Sequence, residues 1–323
     1  MSATDRFDLI VTDAYSETPR IRSIQLARRN GEPLPSWEAG AHVKVGLPSG
    51  GERSYSLIDA SGDASAMTRP RSFRLGVRLE EASGGGSQFM HALKPGDVVS
   101  VSAPANNFPL QHSAGRVMLL AGGIGVTPMI SMATTLVASG RDFRFIYAGR
   151  SKDQLAFLSE IEVLVGPRLT IHTDDMAGVF DVRGLLSSLT EGEPVYLCGP
   201  KPMLDAAIAL TQELGWDRDR LRFEIFTAAE PRAGDQGFEV VLNNSGKSYS
   251  IPPGKTILDV LIEAGEDPLH DCKRGDCGIC QVAVIEGIPD HRDYILTDAE
   301  KASGKLMQIC VSRSKSPRLV IDL

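Results

Sequence analysis

The 323-residue chain contains no run of about 18 apolar residues, so no membrane-spanning helix is expected. Residues 1–6 are polar and lack the apolar core of an export signal, which predicts a cytoplasmic protein. Positive charge is not in excess. The net charge is −7, which argues against general nucleic-acid binding and the basic surface it needs. An acidic balance is common among soluble proteins and identifies no partner by itself. Internal repeats and low-complexity tracts are also missing. What is present is a globular composition, 42% hydrophobic and 23% charged, with apolar material for more than one core. The length suggests two or three domains.

Residues 1–112 read as short apolar runs, at 7–11, 21–27, 42–47, 72–79 and 97–101, broken by Gly, Pro and Ser. No long helical period appears, and an antiparallel barrel or sandwich is expected. The pattern changes near Arg116. Strands at 117–121, 143–147, 169–172, 194–198 and 222–226 alternate with helices at 129–138, 151–165, 181–189 and 203–214. That alternation predicts a parallel sheet over 113–228. Asp181 is a plausible helix cap there. Residues 227–236 lack periodicity, and 229–236 are read as an interdomain linker. Residues 237–323 hold a hairpin around Asn244, Ser245 and Gly246, a helix at 256–264, a cysteine loop, and strands at 281–285 and 318–321.

Five cysteines are present, and four of them follow residue 271. In a reducing compartment such a cluster is more often a metal or iron–sulfur site than a set of disulfides. Cys272, Cys277, Cys280 and Cys310 have the spacing C-x4-C-x2-C-x29-C, the plant-type [2Fe–2S] arrangement. Two irons share four thiolates, so a tight loop must bring three sulfurs to one cluster. Gly275 and Gly278 let the backbone fold around the cluster and aim N–H groups at it. The competing uses are zinc or unligated thiols. Zinc favours paired C-x2-C knuckles, and only one is present.

Four other segments can hold cofactors. Arg53-Ser54-Tyr55-Ser56 alternates a cation and an aromatic ring as a barrel strand would, and surface packing is the plainer use of such a strand. Ser83-Gly84-Gly85-Gly86-Ser87 allows close backbone approach to an anion before a helix, or forms only a flexible loop. Gly122-Gly123-Ile124-Gly125-Val126-Thr127-Pro128 follows a strand and opens a helix, where a pyrophosphate can sit. It is not the G-x-G-x-x-G fingerprint. Cys198-Gly199-Pro200 ends a strand, and Cys198 can equally be a small buried hydrophobe.

The first, third and fourth of these resemble, in order, the R-x-Y-[ST], G-G-x-G-x-T-P and C-G-P elements of the ferredoxin-reductase superfamily. Barrel, nucleotide domain and C-terminal ferredoxin, in that order, resemble the phthalate dioxygenase reductase family over essentially the whole chain. The strip from Asp290-His291-Arg292-Asp293 through Cys310-Val311-Ser312-Arg313 to Asp322-Leu323 is similar as well. The resemblance implies a multidomain fold: an antiparallel β-barrel flavin domain, an α/β nucleotide domain and an α+β (β-grasp) ferredoxin domain. It implies FMN, held by Arg53, Ser54, Tyr55, Ser56, Arg78, Gly85, Gly86 and Ser87. Arg53 pairs with the phosphate, Tyr55 packs against the isoalloxazine and Ser56 lies near flavin N5. It implies NADH at Gly122, Gly123, Gly125, Thr127, Pro128, Cys198, Gly199 and Pro200, with Thr127 near flavin and nicotinamide. Phe226 matches the aromatic that covers the flavin face, and a core strand residue is its plainer role. Alternation would turn Phe223 and Ile225 inward, Glu224 and Phe226 outward. Against NADPH, Asp174 and Asp175 suit a ribose diol, whereas Arg150 and Lys152 suit a 2′-phosphate.

The implied path runs from NADH to FMN, to the cluster, and out to a Rieske-type oxygenase, with the reductase a monomer. No side-chain acid or base is required, because the cofactors carry the chemistry. A cytochrome P450, a di-iron oxygenase or a separate ferredoxin are other acceptors. A non-catalytic iron–sulfur or zinc protein is the remaining alternative. Residues 237–323 carry thirteen acidic against ten basic side chains, which hints at a partner with a basic patch.

Overall fold

The computed structural model describes residues 6–81, 85–111, 115–227 and 232–323. The expectations for residues 1–5, Ser83, Gly84, the boundary at 112 and 113, and linker residues 229–231 lie outside the described residues. Two compact units divide the chain, one ending at Glu224 and the other beginning at Ile225. No described helix is long and apolar enough to cross a membrane.

The first unit opens with β1 (Arg6–Thr18), β2 (Ile21–Ala27), β3 (His42–Gly46), β4 (Glu52–Ser56), β5 (Ser72–Arg78), α1 (Gly86–Ala92) and β6 (Val98–Ser102). The strands form one antiparallel sheet in the order β4-β3-β6-β1-β2-β5. The two ends of that order meet. Leu57 bridges Leu75, and Ile58 N donates to Arg74 O at 3.0 Å. The sheet therefore closes as a barrel, which removes exposed edges. Phe73, Leu75 and Val77 recur every second residue of β5 and fill the interior with Leu9, Val43 and Val101. Each such burial is worth about 1.5–3 kcal/mol. β1 is longer than the expected 7–11. Register shifts after Val11 and Ser16 bend it, and it pairs with both β6 and β2.

The same unit continues with β7 (Val117–Gly122), α2 (Val126–Ala138), β8 (Phe143–Gly149), α3 (Leu158–Val165), β9 (Leu169–Thr173), α4 (Asp174–Ala177), α5 (Val182–Ser187), β10 (Val195–Cys198), α6 (Lys201–Glu213) and β11 (Leu221–Glu224). All five strands are parallel, in the order β11-β10-β7-β8-β9. β7 is buried along its whole length, as a central parallel strand must be. Asp181 caps α5 by accepting from Gly184 N at 2.9 Å.

Two expectations fail here. The helix expected over 151–165 is a 3-10 turn at Lys152–Gln154 followed by α3, because Phe157 takes a left-handed φ of 59° and breaks the run. The strand expected over 222–226 ends at Glu224. Its alternation is lost with it. Glu224 and Ile225 are both buried, while Phe223 and Phe226 are half-buried. The cause is local: Ile225 N leaves the sheet ladder and donates to Asp276 Oδ2 at 3.0 Å within the second unit.

The second unit contains β12 (Phe238–Leu242), β13 (Ser248–Ile251), α7 (Ile257–Glu263), β14 (Gln281–Glu286), β15 (Pro289–Asp290), α8 (Asp298–Ser303), β16 (Leu306–Gln308), β17 (Arg313–Ser314) and β18 (Arg318–Ile321). β12 and β13 form the expected hairpin, with Gly246 at φ 68° in the turn. The sheet order is β13-β12-β18-β14-β16, with β18 parallel to β12. Ile257, Leu258 and Leu261 of α7 bury against Val240, Leu319 and Ile321 in the core that also holds Cys280 and Cys310. Within this unit Asp235 receives Arg292 through both guanidinium N–H arms, at 2.5 and 3.0 Å. Arg313 donates to Gln236 O at 3.0 Å and Pro252 O at 3.1 Å. The 290–293 and 310–313 strip is thus, in large part, the anchor for residues 232–236.

Candidate cofactor sites and cysteine loop

In the parallel sheet the chain starts at β7, moves to one side through β8 and β9, then returns to the other side through β10 and β11. The crevice at such a switch point, beyond the carboxyl ends of the strands, is where open α/β sheets bind ligands. The G-G-x-G-x-T-P loop ends β7 and the C-G-P turn ends β10, so the two motifs are neighbours there. Their contact tolerates no side chain. A Cβ on Gly125 would lie 2.1 Å from Cys198 O, and one on Gly122 would lie 2.5 Å from Pro200 Cδ. Gly123 turns the backbone at φ 55°. Thr127 is 1% exposed, and its hydroxyl donates to Ile124 O at 3.1 Å. Pro128 is buried in the first turn of α2. The two candidate sets for the adenosine ribose also meet, since Asp175 N donates to Arg150 O at 3.0 Å. Asp174 lies 3.5 Å from His172 Nε2.

The R-S-Y-S segment forms β4. Tyr55 packs on the barrel core, and burial raises its phenol to about 12, partly offset by the nearby Arg53 charge. Ser56 is 4% exposed, and its Oγ is buried without a hydrogen bond in the protein. Arg53 is exposed and overlies α1, where a Cβ on Gly86 would lie 2.9 Å from Arg53 Cγ. Gly85 adopts φ 91° ahead of α1. Ser87 Oγ accepts from Glu80 N at 3.0 Å. Arg78 is half-exposed and held by Glu80 through contacts of 2.8 and 3.0 Å. An anion at Arg78 must therefore compete with that carboxylate. Glu80 was not foreseen from the sequence. Neither was Gly76 on β5, where a Cβ would lie 2.8 Å from Thr127 Cγ2 and 3.0 Å from the Phe157 ring. An isolated glycine in a strand pattern was the only signal for that close approach.

In the second unit the four cluster sulfurs form a chain of neighbours. Cys277 and Cys310 hydrogen-bond to Cys272, and Cys310 also contacts Cys280. Donation from Cys277 and Cys310 holds the Cys272 thiol well below the usual thiol range, while donation to Cys272 and Cys280, with burial, pushes Cys310 up. Among the described residues no three His, Cys, Asp or Glu side chains surround a single metal-ion position. The Arg274 N–H donates to Cys272 Sγ at 3.3 Å, and Cys280 Sγ donates to Gln308 Oε1 at 3.5 Å. Gly275 and Gly278 take φ 80° and 79°, and a Cβ on Gly275 would lie 2.7 Å from Val311. The donor set and the positive-φ glycines fit a [2Fe–2S] cluster. Cys272, Cys280 and Cys310 are buried, and Cys277 is half-buried. Asp276 is a site residue that sequence reasoning missed. Burial raises its carboxyl to about 7, the Arg274 charge opposing and Cys272 adding to the rise. Phe226 follows Ile225, with the Arg274 guanidinium 5.9 Å from its ring centroid.

Comparison with known proteins agrees with this geometry. Residues 240–315 match the 2Fe-2S iron-sulfur cluster binding domain, and residues 119–208 match the oxidoreductase NAD-binding domain. The chain is 41% identical to tetrachlorobenzoquinone reductase of Sphingobium chlorophenolicum, over 98% of both chains. It is 39% identical to vanillate O-demethylase oxidoreductase of a Pseudomonas species, over 94% of this chain and 95% of that one. Among solved structures, phthalate dioxygenase reductase, described as a modular structure for electron transfer from pyridine nucleotides to [2Fe-2S], is 35% identical with a TM-score of 0.74 over 98% of both chains. Full-length CYP116B46 from Tepidiphilus thermophilus is 35% identical with a TM-score of 0.76 over 98% of this chain, which spans only 42% of that longer protein. Three domains in this order, at this identity and over this length, place the relationship beyond a shared fold: the chain belongs to the phthalate dioxygenase reductase family.

Proposed function

We propose that the protein is the NADH-dependent reductase component of an oxygenase system, carrying electrons from NADH through FMN to a [2Fe–2S] cluster and then to a separate oxygenase of Rieske type. The observation that carries the reading is the approach of the G-G-x-G-x-T-P loop to the barrel, Thr127 against Gly76, beside a strand end whose Ser56 hydroxyl is buried without a partner in the protein. FMN, when bound, accepts both electrons of a hydride and releases them one at a time, and the cluster holds one.

The residues divide the work. Arg53 pairs with the flavin phosphate as a bidentate donor. Ser54, Gly85, Gly86 and Ser87 shape its cradle, and Arg78 joins by exchanging Glu80 for phosphate. Tyr55 supports the ring, and Ser56 donates to it. Gly122, Gly123, Gly125, Thr127 and Pro128 hold the dinucleotide at the switch point. Cys198, Gly199 and Pro200 line the opposite wall. Phe226 would be the aromatic on the flavin face where nicotinamide must stack. Cys272, Cys277, Cys280 and Cys310 hold the irons. The barrel spans 1–112, the nucleotide domain 113–228 and the ferredoxin domain 237–323, and the protein works as a monomer.

The visible spectrum of the purified protein tests the reading. Flavin bands with a reddish iron–sulfur shoulder, release of FMN, and bleaching by NADH without oxygen are expected. A protein that can be refilled with neither flavin nor iron would overturn it. Two other acceptors have specific support. The tetrachlorobenzoquinone reductase relative favours a quinone, and the similarity to part of CYP116B46 favours a cytochrome P450. Turnover with each acceptor and with a Rieske oxygenase separates the three.

A further inference from the structure

Thr127, Ser131 and Thr134 lie four and three residues apart on α2, so they share one face of the helix. All three are buried, Ser131 and Thr134 at 0% exposure. Ser131 Oγ donates to Leu57 O at 2.8 Å and accepts from Asp59 N at 2.9 Å. Thr134 Oγ1 donates to Asp59 O at 2.7 Å. Two side chains thus satisfy three backbone groups of residues 57–59. The other edge of that segment is taken by the barrel, through Leu57 N to Ala41 O at 2.9 Å and Ile58 N to Arg74 O at 3.0 Å. The segment continues β4 directly, so Leu57 follows Ser56.

These two hydroxyls join the segments on which hydride transfer depends. Thr127 sits one helical turn before Ser131, at the mouth of the dinucleotide loop. Ser56 sits one residue before the clamped segment. We infer that Ser131 and Thr134 are positioning residues, which set the separation between the dinucleotide loop at the start of α2 and the flavin strand β4. The inference rests on the hydride path proposed above. Removing either hydroxyl leaves buried backbone groups unpaired and frees the loop to shift. A displacement near 1 Å can cost on the order of a hundredfold in rate.

The test uses the full chain carrying FMN and cluster, with Ser131→Ala, Thr134→Val and the conservative Thr134→Ser. Thr134→Val keeps the shape and removes only the hydroxyl. The limiting rate of flavin bleaching by NADH should fall tenfold or more in Ser131→Ala and Thr134→Val, and stay within twofold in Thr134→Ser. The NADH concentration for half-maximal rate should stay within threefold, as should the FMN affinity of the flavin-free protein. Amide exchange at Asp59, read on that flavin-free protein, should quicken in Ser131→Ala. Limiting rates within twofold of wild type in both variants, or losses that only track weakened FMN binding, would overturn the assignment while leaving the hydride path standing. A wild-type protein that NADH fails to bleach would overturn the path and the assignment together.

Discussion

Gly125 illustrates how narrowly a single position can be fixed. Its φ of −61° suits any residue, so the constraint is space: Cys198 O would stand 2.1 Å from an added Cβ. Gly123, two residues earlier, is the reverse case, with φ 55° and nothing within 4 Å. Gly125→Ala should push the C-G-P turn away from the dinucleotide loop. We expect half-saturation by NADH in dye reduction to rise at least tenfold, with stability falling by about 1–3 kcal/mol from overpacking. Gly123→Ala should cost about 1 kcal/mol of backbone strain and leave NADH affinity nearer to wild type. NADH titration of both variants checks the contrast. Equal affinities in the two variants would mean that the loop–turn contact does not shape the nucleotide site.

Residues 232–236 behave as one element pinned by two arginines. The Arg292 guanidinium lowers the Asp235 carboxyl to about 2. A carboxylate lowered on folding stabilises above its unfolded value, near 3.9, and that contribution disappears as pH falls toward 2. Melting of the second unit's signals should therefore drop between pH 5 and 2.5 by a larger margin in wild type than in Asp235→Asn. Parallel profiles would rule out this ion pair as a source of acid sensitivity. None of this was legible in the sequence, where 229–236 reads as linker, because the partners lie 57 and more residues away. The same limit explains Gly76, whose close neighbours Thr127 and Phe157 are distant in sequence. Local periodicity did carry β2 and β18 to their observed bounds. Ligand spacing carried the cysteine loop. Where periodicity failed, at 151–165 and 222–226, one residue left its expected backbone state for a tertiary reason: Phe157 at positive φ and Ile225 turned to Asp276. The Thr297–Glu300 capping box of α8 is a local signal, spelled within four residues of sequence.

For the whole molecule, separate compact units imply separable half-reactions. Cys277→Ser removes one proposed cluster ligand in the second unit and leaves the first untouched. Electron delivery to a one-electron protein acceptor should fall more than a hundredfold, while NADH-to-ferricyanide activity stays within threefold. Loss of both activities would mean that the units cannot work apart. The strand order of the second unit has another consequence. β18, at Arg318–Ile321, lies between β12 and β14, in the middle of its sheet. Cys280 and Cys310 belong to the core that Leu319 and Ile321 complete. On the ribosome, Cys280 and Cys310 are therefore synthesised before the strand that completes the core around them. The packed setting of the cysteine loop therefore forms only once that central strand has joined its two neighbours.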